Sequence, residues 1–207
     1  LVGQVGTDMI GREAFQEIDY PAVFGSMAKW AVQIDRADRI PEILARAWKT
    51  AVTGRPGPVV IALPEDMLTS QTDTPPLTGP AEIAEPAPLP AALDKALTML
   101  AGARRPLILT GGCTWTAQGK AALQRFAEAS DIPVLAAFRF QDCVDNTSPV
   151  YAGEAGVGMP THARRLIAEC DLLLAVNVRF GEMTTDAYTL LRVPQPEQVL
   201  IHVHASE

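Results

Sequence analysis

Cysteine, positive charge and long apolar runs are all scarce in this chain of 207 residues. Its three cysteines are Cys113, Cys143 and Cys170. The number is odd, the spacings are long and no CxxC pair occurs. A disulfide framework and a cysteine zinc site are both disfavoured, and the three read as reduced thiols of a cytoplasmic protein. Lys and Arg number 17 against 24 Asp and Glu, a formal charge of −7. With no Lys/Arg cluster, the chain lacks the basic face that a nucleic acid demands. No apolar run reaches about 18 residues, so no membrane-spanning helix is expected. GxSxG, the phosphate loop GxxxxGK[ST] and a full GxGxxG are absent too. No two carboxylates are forced together by spacing.

The composition is otherwise that of a globular protein, 48% hydrophobic and 20% charged. Length sets a prior of one or two domains. Leu1 to Ile10 has neither a basic start nor an apolar core, so no signal peptide is read there. The chain has no initiator Met. It opens abruptly on Leu1-Val2 and stops on Ala205-Ser206-Glu207, just after an apolar run. A fragment of a longer protein is the expectation.

One stretch divides the chain. Residues 69–90 carry prolines at 75, 76, 80, 86, 88 and 90. Proline lacks the N–H donor and fixes φ, so neither helix nor central strand can run through; the stretch reads as an extended linker. It separates a module of residues 1–68 from one of residues 91–207.

In the first module, Pro41 to Thr53 has helical periodicity, with Ile43, Leu44, Ala47, Trp48 and Ala51 on one stripe. Pro41 suits a first turn and Gly54 a C-terminal cap. Val59 to Leu63 reads as a buried strand, Pro21 to Trp30 as a helix, and Leu1 to Val5 as a strand remnant. The second module alternates. Helices are expected over 91–101, with Leu93, Ala96, Leu97 and Leu100 on one face, and over 117–130 and 161–169. Strands are expected over 106–110, 132–137, 171–176 and 199–203. Such alternation implies a parallel, Rossmann-like α/β sheet with right-handed crossovers.

Ligands of such sheets sit beyond the carboxyl ends of the strands. Gly111-Gly112 follows one strand there and Arg179-Phe180 another. The glycines let backbone N–H groups approach a diphosphate, or simply make a tight turn. Arg179 suits a phosphate or carboxylate, or a surface pair with Glu182 or Asp186. Residues 151–158 form a Gly-rich loop that either wraps a ligand or only connects. His202 and His204 share one strand face, but no third ligand stands beside them, so no metal site is read.

The first module carries the most specific text: Gly3-Gln4-Val5, then Ala14-Phe15-Gln16-Glu17, then Gly54-Arg55-Pro56-Gly57-Pro58-Val59. With Gly111-Gly112 and Val178-Arg179-Phe180 downstream, the chain resembles the acetolactate synthase-like branch of the thiamine diphosphate-dependent enzymes over essentially its whole length. The resemblance implies the C-terminal part of a pyrimidine-binding domain at 1–68 and the central Rossmann-like domain at 91–207. It implies a homodimeric or homotetrameric parent that uses thiamine diphosphate and Mg2+ on a 2-oxo acid. The activating glutamate and the Mg2+–diphosphate motif of that parent are not in this sequence, so the chain alone is expected to be inactive. By resemblance, Gln4 faces the reacting carbon, where its amide can donate to a developing alkoxide. Phe15 and Gln16 lie near the substrate channel, or else serve packing alone. Gly111, Gly112, Arg179 and Phe180 fall in a site for FAD or ADP.

Two departures bear on the subgroup. Leu63-Pro64-Glu65-Asp66 stands where acetolactate synthases carry Lys-Asp, which shifts weight toward other carboligases or decarboxylases. Cys113 replaces a third glycine, and Gly158-Met159-Pro160 replaces the Met-His-Gly of the flavin site. The competing class is a non-catalytic Rossmann-like module binding NAD, FAD or ADP. A purely structural domain whose cleft has decayed is a third.

Overall fold

The computed structural model describes residues 1–205. It divides into two compact units, Leu1–Glu85 and a second that begins at Pro86.

The first unit is a small parallel sheet. Strand β1 (Val2–Gln4) is followed by helix α1 (Tyr20–Phe24), β2 (Trp30–Gln33), helix α2 (Ile40–Val52) and β3 (Val59–Pro64). The order is β1-β3-β2, with β3 central and both pairings parallel. Pro41 lies in the first turn of α2, where its missing N–H costs nothing. Thr53 caps the other end, and Gly54 takes the left-handed φ of +58° that ends a helix cleanly. Ile43 and Ala47 of α2 are buried against Ile34 and Ile61. Trp48, expected on that stripe, is half exposed. The Arg46 guanidinium lies 4.3 Å over the Trp30 ring.

The helix expected over 21–30 is a correction. Only Tyr20–Phe24 is helical, and Trp30–Gln33 is a strand. Asp19 caps the short helix through the Ala22 N–H, and Gly25-Ser26 interrupts its continuation. Trp30 and Val32 are strand formers, and pairing with β3 decides the matter.

The second unit is larger. Helix α3 (Pro90–Gly102) leads into β4 (Pro106–Thr110), α4 (Ala117–Ser130), β5 (Val134–Ala137), β6 (Tyr151–Ala155), α5 (Thr161–Glu169), β7 (Leu172–Val176) and β8 (Val199–Val203). All four pairings are parallel, in the order β6-β5-β4-β7-β8. Side chains alternate across the sheet. Leu107, Leu109, Leu135 and Leu173 pack with Ala163 and Ile167 of α5. Ile108, Val134, Leu172 and Leu174 pack with Leu123 and Ala127 of α4 on the other face. Burial on both faces is why these strands read as unbroken apolar runs.

Two expectations change here. The first five residues of the Gly-rich stretch are the edge strand β6. In α3, Leu100 packs on the core, whereas Leu93 and Leu97 stay half exposed. Asp171 ties the unit's lower end together, its carboxylate accepting the Arg104 and Arg105 backbone N–H groups at 2.8 and 2.9 Å. Those donors hold its pKa below the ordinary value. All three cysteines are free; burial pushes the Cys170 thiol up to about 11 and keeps it neutral.

Candidate functional site: the carboxyl edges of two parallel sheets

In the first unit, Gln4 ends β1 and is buried. Its amide is fully engaged on the donor side. Nε2 donates to the Ile18 carbonyl at 2.6 Å and to Gln33 Oε1 at 3.1 Å. Oε1 accepts the Val5 N–H at 3.1 Å and keeps one lone pair. Both hydrogens are therefore spent inside the protein, and what Gln4 has left is an acceptor. Gln33, at the end of β2, escaped sequence reasoning; the signal that could have found it is a polar residue closing an apolar strand at a carboxyl edge.

The segment between β1 and α1 is wound on its own backbone. Glu17 accepts the Gly11 N–H at 2.5 Å and the Ala14 N–H at 3.1 Å, and these donors hold its carboxyl below the ordinary range. Asp66, after β3, accepts both the N–H and the hydroxyl of Thr7 at 2.9 and 2.6 Å. Phe15 is 88% exposed on this loop, and Gln16 is exposed with a left-handed φ of +65°. The structure thus joins Gln4 to Gln33 through a hydrogen bond and leaves Phe15 and Gln16 on the loop surface.

In the second unit, the strand order reverses between β4 and β7. A doubly wound sheet opens its ligand crevice at such a point. Gly111 and Gly112 leave β4 there, and Arg179 and Phe180 follow β7. The glycines are explained by packing. A Cβ on Gly112 would lie 2.2 Å from the Asn177 carbonyl oxygen, and φ there is +79°. A Cβ on Gly111 would lie 2.8 Å from that of Ala137. The Asn177 N–H donates to the Val203 carbonyl at 2.7 Å, and its side-chain Nδ2 to Thr114 Oγ1 at 2.8 Å. The Trp115 indole N–H donates to the Gly111 carbonyl at 2.7 Å. Thr116 caps α4 by accepting the Gly119 N–H at 3.0 Å.

Arg179 is exposed and makes no ion pair among the described residues; Asp186 pairs instead with Arg164 at 2.5 Å. Phe180 packs edge-on against His202, ring centroids 5.1 Å apart. His202 Nε2 donates to the Val178 carbonyl at 2.9 Å. Among the described residues no cluster of His, Cys, Asp and Glu could hold a metal ion, and no helix is long and apolar enough to cross a membrane.

Taken by class, the second unit is a parallel, doubly wound domain whose strand order reverses between β4 and β7. Residues 93–207 match the family model described as "Thiamine pyrophosphate enzyme, central domain", and the chain belongs to that family. It is 34% identical over 98% of its length to a probable acetolactate synthase large subunit of Methanocaldococcus jannaschii, covering 35% of that protein. The figures are 32%, 98% and 36% for acetolactate synthase isozyme 2 large subunit of Escherichia coli K12. Against glyoxylate carboligase of Escherichia coli O157:H7 they are 29%, 89% and 32%. The chain spans about a third of the length of these relatives. A free-standing nucleotide-binding module is not favoured by these likenesses.

Proposed function

We propose that this chain is part of a thiamine diphosphate-dependent enzyme that decarboxylates a 2-oxo acid and passes the remaining fragment to an acceptor. The observation that carries the reading is the match of the switch-point domain to the central domain of this family, next to relatives named for acetolactate synthesis and glyoxylate carboligation. Residues 1–68 serve as part of the pyrimidine-binding domain. The parent is a homodimer or homotetramer in the cytoplasm, a compartment that suits three free thiols.

The residues present fit part of the cofactor's needs. Gln4 keeps one acceptor lone pair at a carboxyl edge. No Mg2+ ligand is assigned to this chain's described residues. When bound, thiamine diphosphate supplies the carbon nucleophile and the electron sink for loss of CO2. This chain contributes a shaped, hydrogen-bonded wall. Gln4 anchors, through the Ile18 carbonyl, the loop that carries Phe15 and Gln16. In the second unit, Arg179 is free to meet a phosphate of FAD or ADP beside the Gly111-Gly112 turn.

The test is direct. The polypeptide that carries this chain should consume a 2-oxo acid only when thiamine diphosphate and Mg2+ are supplied, and residues 1–207 alone should not. Consumption without that cofactor refutes the assignment. Titration with FAD and with ADP reads the second site.

A further inference from the structure

The orientation of the Gln4 amide is dictated by backbone. The Val5 N–H can only donate and the Ile18 carbonyl can only accept, so oxygen faces the first and nitrogen the second. The second Gln4 hydrogen then meets Gln33, which must answer with its own oxygen. That leaves the Gln33 NH2 group turned away from Gln4. Gln33 Nε2 has no hydrogen-bond partner among the described residues, and Gln33 is half-buried. In register, Gln4 stands beside Pro64 and Gln33 beside Ala62. Registered parallel neighbours point to the same side. The small Ala62 side chain, between the two outer strands, gives the two long amides room to meet over β3.

A 2-oxo acid has a carboxylate and a ketone, both acceptors only. An edge that serves it needs a free N–H, and Gln4 has none left. We propose that Gln33 is the hydrogen-bond donor this edge offers to the substrate, with Gln4 as the residue that positions it. The proposal rests on the functional reading above.

Gln33→Glu and Gln33→Met in the polypeptide that carries this chain separate the possibilities. Both remove the donor, but only the Glu variant can still accept the Gln4 N–H. We expect kcat/KM for the 2-oxo acid to fall roughly tenfold or more in both, the scale of a lost hydrogen bond to a charged group. In Gln33→Glu, Tm and hydrogen exchange over residues 5–19 should match the wild type. Its activity should recover as pH falls, because the protonated carboxyl regains an O–H donor; Gln33→Met should show no such recovery. Wild-type kcat/KM in Gln33→Glu overturns the proposal, as does a loss accompanied by faster exchange over 5–19. A wild type that consumes no 2-oxo acid breaks the functional reading. A wild type that does, with both variants equally active, breaks the Gln33 assignment alone.

Discussion

The two sheets close their carboxyl edges by different means. In the first unit the edge is tied by side chains: the Gln4 amide bridges from β1 to β2 and pins Ile18. In the second it is closed by the absence of side chains, with Gly112 letting the Asn177 backbone pass where a Cβ would stand. An amide network can be rearranged, since each bond contributes only about 1 kcal/mol net. A backbone approach cannot yield without moving a strand. The first edge is therefore the adaptable one and the second the rigid one.

The comparison breaks most visibly at Gly112. Gly112→Val should lower stability by at least about 3 kcal/mol, adding backbone strain to an overlap that neither strand can relieve. Urea unfolding reads this, and a smaller shift of midpoint would show that the edge is not rigid. Gln4→Leu comes next, at about 1–3 kcal/mol, because it strands the Ile18 carbonyl and Gln33 oxygen of a partly buried network. Its signature is faster hydrogen exchange over residues 5–19, with exchange in β4 and β7 unchanged.

The smallest effect is on acid sensitivity, where the two units should behave alike. Glu17 and Asp171 both have lowered pKa values because backbone N–H groups donate to them. A carboxyl lowered on folding stabilises above its unfolded pKa, and that stabilisation is lost as pH falls through the lowered, folded value. Glu17→Gln and Asp171→Asn should each flatten the acid limb of the stability curve slightly, while leaving its neutral plateau lower. An unchanged limb in either variant would separate the units after all.

Much of this architecture was legible along the chain, for a physical reason that differs by element. Helix α4 fits its expected bounds because Thr116 and Asp131 mark its ends locally. Strands β4 and β7 were legible because a doubly covered strand must be apolar throughout. Strands β2 and β6 were not. Trp30–Gln33 is too short to carry a period, and Tyr151–Ala155 holds a glycine and a glutamate that only an edge position tolerates. At the candidate site, Gln4, Gly111, Gly112, Arg179 and Phe180 stood out through motif and position. Gln33 did not, because its partner lies 29 residues away.

Periodicity, caps and proline placement thus decided which segments fold into which element, since those are contests between neighbouring residues. Which polar groups remain free was decided only when three strands came into register. That choice follows from who can donate and who can accept across the sheet, and no local stretch of sequence holds all the parties.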